Sequence, residues 1–238
     1  MLDTHTFLHT FLRHTEIARH RLSLKWAGMH DVELHTHFIF NESIVSRARN
    51  DCVHAFLQSD CTHMLFIDAD ISADYLDLMR LVFLTTPDKI VGAPCSKKIL
   101  DMERLKKAIG ARVPDDQLME TCGSFNFNLL PDHKEITLND LTEVAHVGTG
   151  IMCIHRDTFQ KFKQFYPQYA YHENGESKHL FFDVALDNGA LVSEDILFCR
   201  RARRAGLSIY ITPWIATSHW GTQEFRGNLA AASQVFRQ

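Results

Sequence analysis

Two carboxylates, Asp68 and Asp70, stand one residue apart directly after the short apolar run at residues 64–67. Such a run predicts a strand that is covered on both faces of a sheet. Carboxylates at the end of this strand would lie at the edge where open α/β sheets bind ligands. Because Mg2+ and Mn2+ prefer oxygen ligands and leave positions for substrate phosphates, the pair predicts a site for a metal and a nucleotide. A simple turn is the alternative, since Asp is favoured there.

A second acidic pair, Glu194 and Asp195, follows Ser193 at the predicted start of a helix that runs to Arg204. A carboxylate in a cleft can accept the proton of a substrate hydroxyl and so act as a general base. The alternative is structural, because acidic residues in the first turn stabilise a helix through its dipole. The chain therefore offers two separate acidic clusters, and its other elements must position them.

Length and composition are those of a globular α/β protein with a single domain over residues 1–238. The net charge of −4 gives no overall positive field that would attract nucleic acid. The six cysteines form no C-x-x-C pair, which predicts reduced thiols and a cytoplasmic location. No apolar run approaches the roughly 18 residues of a membrane helix, so we expect no membrane anchor.

The hydrophobic pattern alternates between helices and strands along the first part of the chain. We predict helices over residues 4–27, 43–57 and 74–84, and strands over residues 32–40, 64–67 and 89–94. This alternation predicts an α/β fold with a mainly parallel central sheet flanked by helices. Residues 95–142 are less regular, apart from a short basic helix at 102–109, and suggest either a binding insert or surface decoration.

The second part of the chain returns to regular structure at residues 142–154. This segment predicts a strand in which Gly148 and Gly150 allow close approach of a neighbour or a ligand. A helix capped by Asp157 follows, and then a second irregular region at 166–190 with a short strand at 180–182. A last strand is predicted at 207–211, and the segment that contains Ser218 and His219 follows it.

Several fragments in this order resemble nucleotide-sugar glycosyltransferases of the GT-A, Rossmann-like fold, and most closely the small single-domain members found in bacteriophages. The fragments are Asn41-Glu42-Ser43 with Arg47-x-Arg49-Asn50, Phe66-Ile67-Asp68-Ala69-Asp70, Val91-Gly92-Ala93-Pro94 with Lys97-Lys98, Gly148-Thr149-Gly150, Ser193-Glu194-Asp195 with Phe198-Cys199-Arg200-Arg201, and Ser218-His219-Trp220-Gly221. Relatives usually begin with an apolar strand that helps hold the nucleotide base. Here the chain opens with the helix predicted at Thr4, so we expect either that the true start lies upstream or that the sheet has no such first strand.

The resemblance implies roles for individual residues. Asp70 would bind Mn2+ or Mg2+ directly, His219 would complete the metal shell, and Asp68 would contact the metal-bound water or the donor ribose. Glu194 and Asp195 match the acidic pair near the acceptor, one of which is the general base in inverting members, and the sequence leaves retention or inversion of the anomeric configuration open. The residues expected beside the donor are Arg47, Arg49, Asn50, Asp68 and Lys97, and both Lys97 and Lys98 could reach its phosphates. Each has a structural alternative: a salt-bridged helix face for the arginines, a solvated pair for Lys97 and Lys98, and an ordinary hydrogen-bonded histidine for His219.

The function implied by the resemblance is metal-dependent transfer of a sugar from a nucleoside-diphosphate donor, with a UDP-sugar favoured, to an acceptor hydroxyl. The acceptor stays open between a modified DNA base, a glycan and a protein. The chemistry fits, because glycosyl transfer develops negative charge on the departing diphosphate, which a divalent cation stabilises. The alternatives are an inactive binding module of the same fold and a nucleotidyltransferase, although the chain lacks the Gly-rich phosphate loop expected of the latter.

Overall fold

The computed structural model describes residues 34–132, 135–187 and 189–236. The helices are α1 (Val45–Gln58), α2 (Tyr75–Leu84), α3 (Met102–Gly110), α4 (Leu118–Thr121), α5 (Arg156–Phe165), α6 (Glu194–Arg204) and α7 (Leu229–Phe236), with a 3-10 turn at Pro167–Tyr169. The strands are β1 (His63–Ile67), β2 (Ile71–Ala73), β3 (Lys89–Gly92), β4 (Ser96–Leu100), β5 (Gly123–Phe125), β6 (Phe127–Leu129), β7 (Thr142–Val147), β8 (Ile151–His155), β9 (Ala170–Glu173), β10 (Glu176–His179), β11 (Ala185–Asp187), β12 (Ala190–Val192), β13 (Ser208–Ile211), β14 (Thr217–Trp220) and β15 (Glu224–Gly227).

The largest sheet has six strands in the order β1-β8-β3-β13-β7-β6. Only β3 and β13 are parallel neighbours, and the other four pairings are antiparallel. The prediction of a mainly parallel, Rossmann-like sheet was therefore wrong. The reason lies in β8, which runs antiparallel between β1 and β3 and so separates two strands that point the same way. Alternating helices and strands indicate direction, but they do not show which strand fills the space between two others.

Aromatic rings fill the space between this sheet and helices α5 and α6. Phe159 and Phe162 of α5 and Phe198 of α6 are almost completely buried, together with Phe181 and Phe182. The ring centroids of Phe182 and Phe198 lie 4.5 Å apart, and those of Phe159 and Phe181 lie 5.0 Å apart. Each such ring removes a large apolar area from water, which makes this layer the main source of stability.

A second, smaller sheet forms beside the end of β1. Its order is β15-β14-β2, and the two-stranded sheet of β4 and β5 lies against it. The short strand β2 follows Asp68 and Asp70 directly and pairs with β14 in antiparallel register, so that Ile71 lies opposite His219. This pairing joins a motif near residue 70 to one near residue 219, although they are far apart in the sequence.

Several predicted elements agree with the structure. Helices α1, α2, α3 and α6 and strands β1, β3 and β13 lie close to their predicted positions, and Asp74 caps α2 by accepting from the Leu76 amide at 2.8 Å. Other predictions were wrong. Residues 34–40 form no strand, residues 142–154 form two strands rather than one, and His155, not Asp157, caps α5. The predicted helix over 4–27 lies outside the described residues.

The two regions predicted to be irregular contain regular structure. Residues 95–142 hold strands β4, β5 and β6 and helices α3 and α4. Residues 166–190 include the hairpin β9–β10, which turns at Asn174 and Gly175, both with positive φ. The hairpin β11–β12 follows, and residues 180–182 are not a strand. The first of these turns has the Asn-Gly sequence that is the strongest local signal for a tight hairpin.

Candidate functional site

The loop from Asp68 to Asp70 is fixed by backbone hydrogen bonds on both sides. The amide of Asp68 donates to the carbonyl of Gly150 at 2.9 Å, and the amide of Ile71 donates to the carbonyl of Asp68 at 3.0 Å. The amide of Trp220 donates to the carbonyl of Asp70 at 2.7 Å. These bonds leave both carboxylates about half exposed, each at 44 %, and clustered where the two sheets meet.

Asp70 has two nitrogen neighbours. Lys98 Nζ donates to Asp70 Oδ2 at 2.6 Å, and His219 Nε2 lies 3.4 Å from the same oxygen. The other ring nitrogen of His219, Nδ1, lies 2.7 Å from the carbonyl oxygen of Ser96. Since a carbonyl can only accept, Nδ1 carries the hydrogen, and in the neutral ring Nε2 then presents its lone pair towards Asp70.

Asp68 and Glu194 share the guanidinium of Arg49. Arg49 extends from α1, is almost fully buried, and pairs with Glu194 through Nη1 and with Asp68 Oδ1 through Nη2 at 3.5 Å. One buried cation thus links the carboxylate after β1 with the carboxylate at the start of α6. A guanidinium is suited to this role, because its planar fork presents several donors to two acceptors at once.

Asp195 is held by a different set of neighbours. Its Oδ1 accepts from the Ser193 hydroxyl and from the Ile196 amide, whereas its Oδ2 accepts from Asn126 Nδ2 at 3.3 Å. Ser193 therefore stabilises the acid rather than capping α6 with its side chain. His146 is close enough for Asp195 to raise its pKa, but burial is the larger effect and lowers the pKa of His146 overall.

The glycines between β7 and β8 make room for the protein itself. A Cβ on Gly148 would lie 2.2 Å from Asn126 Nδ2, and one on Gly150 would lie 2.5 Å from the Ile71 side chain. The sequence suggests that these glycines make room either for a neighbour or for a ligand. Contact with a protein neighbour explains both Gly148 and Gly150. They allow the strand junction to pass beneath the two acidic clusters, between Asn126 on one side and the Asp68 loop on the other.

The remaining predicted donor-binding residues have other contacts. Arg47 pairs at the surface with Glu42 and lowers the pKa of that carboxyl to about 2. Asn50 is buried, donates to the carbonyls of Ser46 and Phe182, and accepts from the amides of Phe181 and Phe182. Its hydrogen-bonding groups are used within the protein. Lys97 is exposed. After burial, its positive charge is one of the smaller causes of the lowered pKa of His146, and the lysine that pairs with Asp70 is Lys98.

The sequence does not single out two polar groups of this site. It indicates Lys97 and Lys98 together as residues that could reach the phosphates and places Lys97 beside the donor, whereas Lys98 is the one that contacts Asp70. Side chains alternate between the two faces of a strand, so only the register of β4 decides between two consecutive lysines. Asn126 lies within a region predicted to be irregular and carries no motif, so no local signal pointed to it.

The donor set fits a loosely held divalent cation. Asp70 and His219 present an oxygen and a nitrogen towards each other, and His219 is oriented by a backbone carbonyl in the manner of a metal ligand. Within the described residues no three His, Cys, Asp or Glu side chains are grouped closely enough to hold a metal alone. A cation here would rely on water and substrate phosphates for its other positions, as Mg2+ commonly does. Asp68 faces Arg49 and would act from outside the metal shell.

Comparison with known proteins gives little further information. No family model matches the chain, and no curated protein matches it. Among solved structures it is similar to the crystal structure of A197 from STIV, with a TM-score of 0.42 and 15 % identity over 79 % of this chain and 78 % of that one. Among the helices of the described ranges, none is long and apolar enough to span a membrane. All six cysteines are free thiols.

Proposed function

We propose that this protein transfers a sugar from a nucleoside-diphosphate donor to an acceptor hydroxyl with the help of Mn2+ or Mg2+. The observation that carries the proposal is the position of Arg49, which contacts Asp68 and Glu194 together. Asp68 and Glu194 are far apart in the sequence, and their shared contact with Arg49 brings the two acidic clusters into one place. Glycosyl transfer needs such a pair of clusters, one for the diphosphate with its cation and one for the acceptor.

The diphosphate side of the site comprises Asp70, His219 and Asp68. Asp70 and His219 would hold the cation, and Asp68 would contact a metal-bound water or the ribose. When bound, the cation would stabilise the negative charge that develops on the leaving diphosphate. A UDP-sugar is the donor class that the sequence resemblance favours.

The acceptor side comprises Glu194 and Asp195, and their contacts separate their roles. Glu194 is paired with the guanidinium of Arg49, which holds its charge in place and makes it a positioning residue. Among the described residues, the partner of Asp195 Oδ2 is the neutral amide of Asn126, at 3.3 Å. We therefore assign Asp195 as the base that takes the acceptor proton. The acceptor itself, a modified DNA base, a glycan or a protein, is for experiment to decide.

A screen of nucleotide sugars for metal-dependent release of the nucleoside diphosphate tests this function. We expect release by the wild type with Mn2+ or Mg2+, and a loss of at least about 100-fold in Asp70→Asn and Asp195→Asn. Asp60→Asn, which removes the same charge from an exposed loop, is the control and should retain full activity. Equal release by the wild type and Asp70→Asn would refute the proposed mechanism.

A binding module without catalysis is the second candidate, because the ion pair with Lys98 already compensates the charge of Asp70. Thermal unfolding with UDP, with and without Mn2+, distinguishes the two. An enzyme of the proposed kind should be stabilised more by UDP and Mn2+ together than by UDP alone, since a ligand stabilises the state that it binds. For either function we propose a reducing, cytoplasmic environment, in line with the six free thiols.

A further inference from the structure

Lys98 lies where a metal bound to Asp70 would need to be. Its ammonium group is 2.6 Å from Asp70 Oδ2, the same oxygen that faces His219 Nε2 at 3.4 Å. An ammonium group and a divalent cation repel each other strongly at such distances. A cation held jointly by this oxygen and by His219 would need the space that the ammonium group fills, so it must displace Lys98 in order to bind.

The path of the lysine stem indicates that displacement is easy. Lys98 is 38 % exposed, and Asp70 is 44 % exposed. The Cδ and Cε atoms of Lys98 pass over Gly221, where a Cβ would lie 3.2 Å and 3.7 Å from them. The stem is long and flexible, and a half-exposed ion pair contributes little to stability, so the ammonium can move at small cost.

We propose that Lys98 and the divalent cation are alternative partners of Asp70, and that the cation releases Lys98 to bind the donor diphosphate. This inference rests on the function proposed above. Lys98 compensates the charge of the Asp70 carboxylate, and, once displaced, its ammonium would stay within reach of the phosphates that the cation would hold. The cation and the diphosphate would then bind cooperatively, because each favours the displaced position of the lysine.

The inference predicts opposite effects on two ligands when Lys98 is replaced by Met. Without its competitor, Mn2+ alone should bind about two- to fivefold more tightly, a range set by the strength of half-exposed ion pairs. UDP in the presence of saturating Mn2+ should bind more weakly, by about fivefold or more, because one phosphate partner is lost. A merely structural role for Lys98 would not move the two affinities in opposite directions.

Calorimetric titration of the wild type, Lys98→Met, Lys97→Met and Asp70→Asn with MnCl2, and then with UDP at saturating Mn2+, tests this. Lys97→Met is the matched control for the Mn2+ titration, since it removes the same charge from the adjacent residue of β4 and leaves the contact with Asp70 intact. Its Mn2+ affinity should stay near that of the wild type. Gly221→Ala, which crowds the lysine stem, should shift the Mn2+ affinity in the same direction as Lys98→Met.

The outcomes separate the inference from the function on which it rests. If Mn2+ binds the wild type and Lys98→Met equally, or binds the variant more weakly, the exchange is refuted while the metal site stands. If none of the proteins binds Mn2+, or if Asp70→Asn binds it as the wild type does, the metal site itself is refuted and the exchange with it. Tighter Mn2+ binding and weaker UDP binding in Lys98→Met alone would support both.

Discussion

The six-stranded sheet and the three-stranded sheet differ in what surrounds their strands. Buried side chains such as Phe162 and Phe198 pack on the large sheet in ring-to-ring contact. The small sheet carries His219 and supports Asp70 and Lys98, all of which are partly exposed and held by polar contacts. Packing energy is concentrated in one region and ionisable groups in the other. This separation lets the charged region change its ion pairs without loss of the fold.

The largest effect should come from the core of the large sheet. Phe162→Ala would leave a cavity among four neighbouring rings and should lower the free energy of unfolding by about 3–5 kcal/mol. Phe165→Ala, on the same helix but with a side chain 54 % exposed, is the control and should cost about 1 kcal/mol or less. Urea unfolding measures both. Equal losses would contradict the role given to the buried ring of Phe162 in the core of the large sheet.

The next effect concerns Arg49, a buried charged side chain that contacts one carboxylate of each acidic cluster, Asp68 and Glu194. Arg49→Met would leave Glu194 without its cation and should destabilise the protein by about 2–3 kcal/mol. Adding Glu194→Gln should restore part of this loss, because the uncompensated charge is then removed. Arg47→Met, which breaks a surface pair, should leave the unfolding midpoint nearly unchanged. No recovery in the double variant would mean that Arg49 acts through packing alone.

The two regions also differ in how well the sequence predicts them. The apolar runs of β1, β3 and α6 reveal their elements, because burial imposes a local pattern on the residues. The pairing of β2 with β14 and the position of β8 between β1 and β3 arise from contacts between distant segments, which leave no local pattern. Motif order suggested that Asp70 and His219 belong together, but choosing Lys98 over Lys97 required the register of β4.

The hairpin β9–β10 was missed for a different reason. Its Asn174-Gly175 turn is a local signal, but Tyr and His along the flanking residues do not alternate with apolar ones. The hairpin is attached to α1 through Lys178, which contacts Asp51 of α1 at 2.8 Å and also Glu173 of β9 at 2.7 Å. Its contact with the aromatic layer comes through His179 at the end of β10, so most of the hairpin does not show the expected pattern of hydrophobic residues.

A smaller effect should appear as a dependence of stability on pH. His179 is buried in the aromatic layer, and burial, with Lys163 as a lesser cause, lowers its pKa from 6.5 to about 4. The unfolded chain binds the proton below about pH 6.5, whereas the folded chain does so only near pH 4, so stability falls as the pH falls between these values. We expect a loss of about 1–2 kcal/mol between pH 8 and pH 5 from this residue. His179→Phe should remove that part of the slope in urea unfolding, and an unchanged slope would contradict the assignment.

The smallest effect concerns backbone geometry in the turn of the hairpin β9–β10, which belongs to neither of the two sheets. Gly175 has φ of +83°, which an L-residue rarely adopts, and no neighbouring atom would contact an added Cβ. Gly175→Ala should therefore destabilise the hairpin by about 1 kcal/mol through backbone strain alone. Gly110, at the end of α3, is equally open but is not among the glycines with positive φ, so Gly110→Ala should be neutral or stabilising by up to about 0.5 kcal/mol. Opposite signs in thermal unfolding would show that conformation, not packing, fixes this turn, whereas two losses of equal size would mean that hidden contacts dominate at both sites.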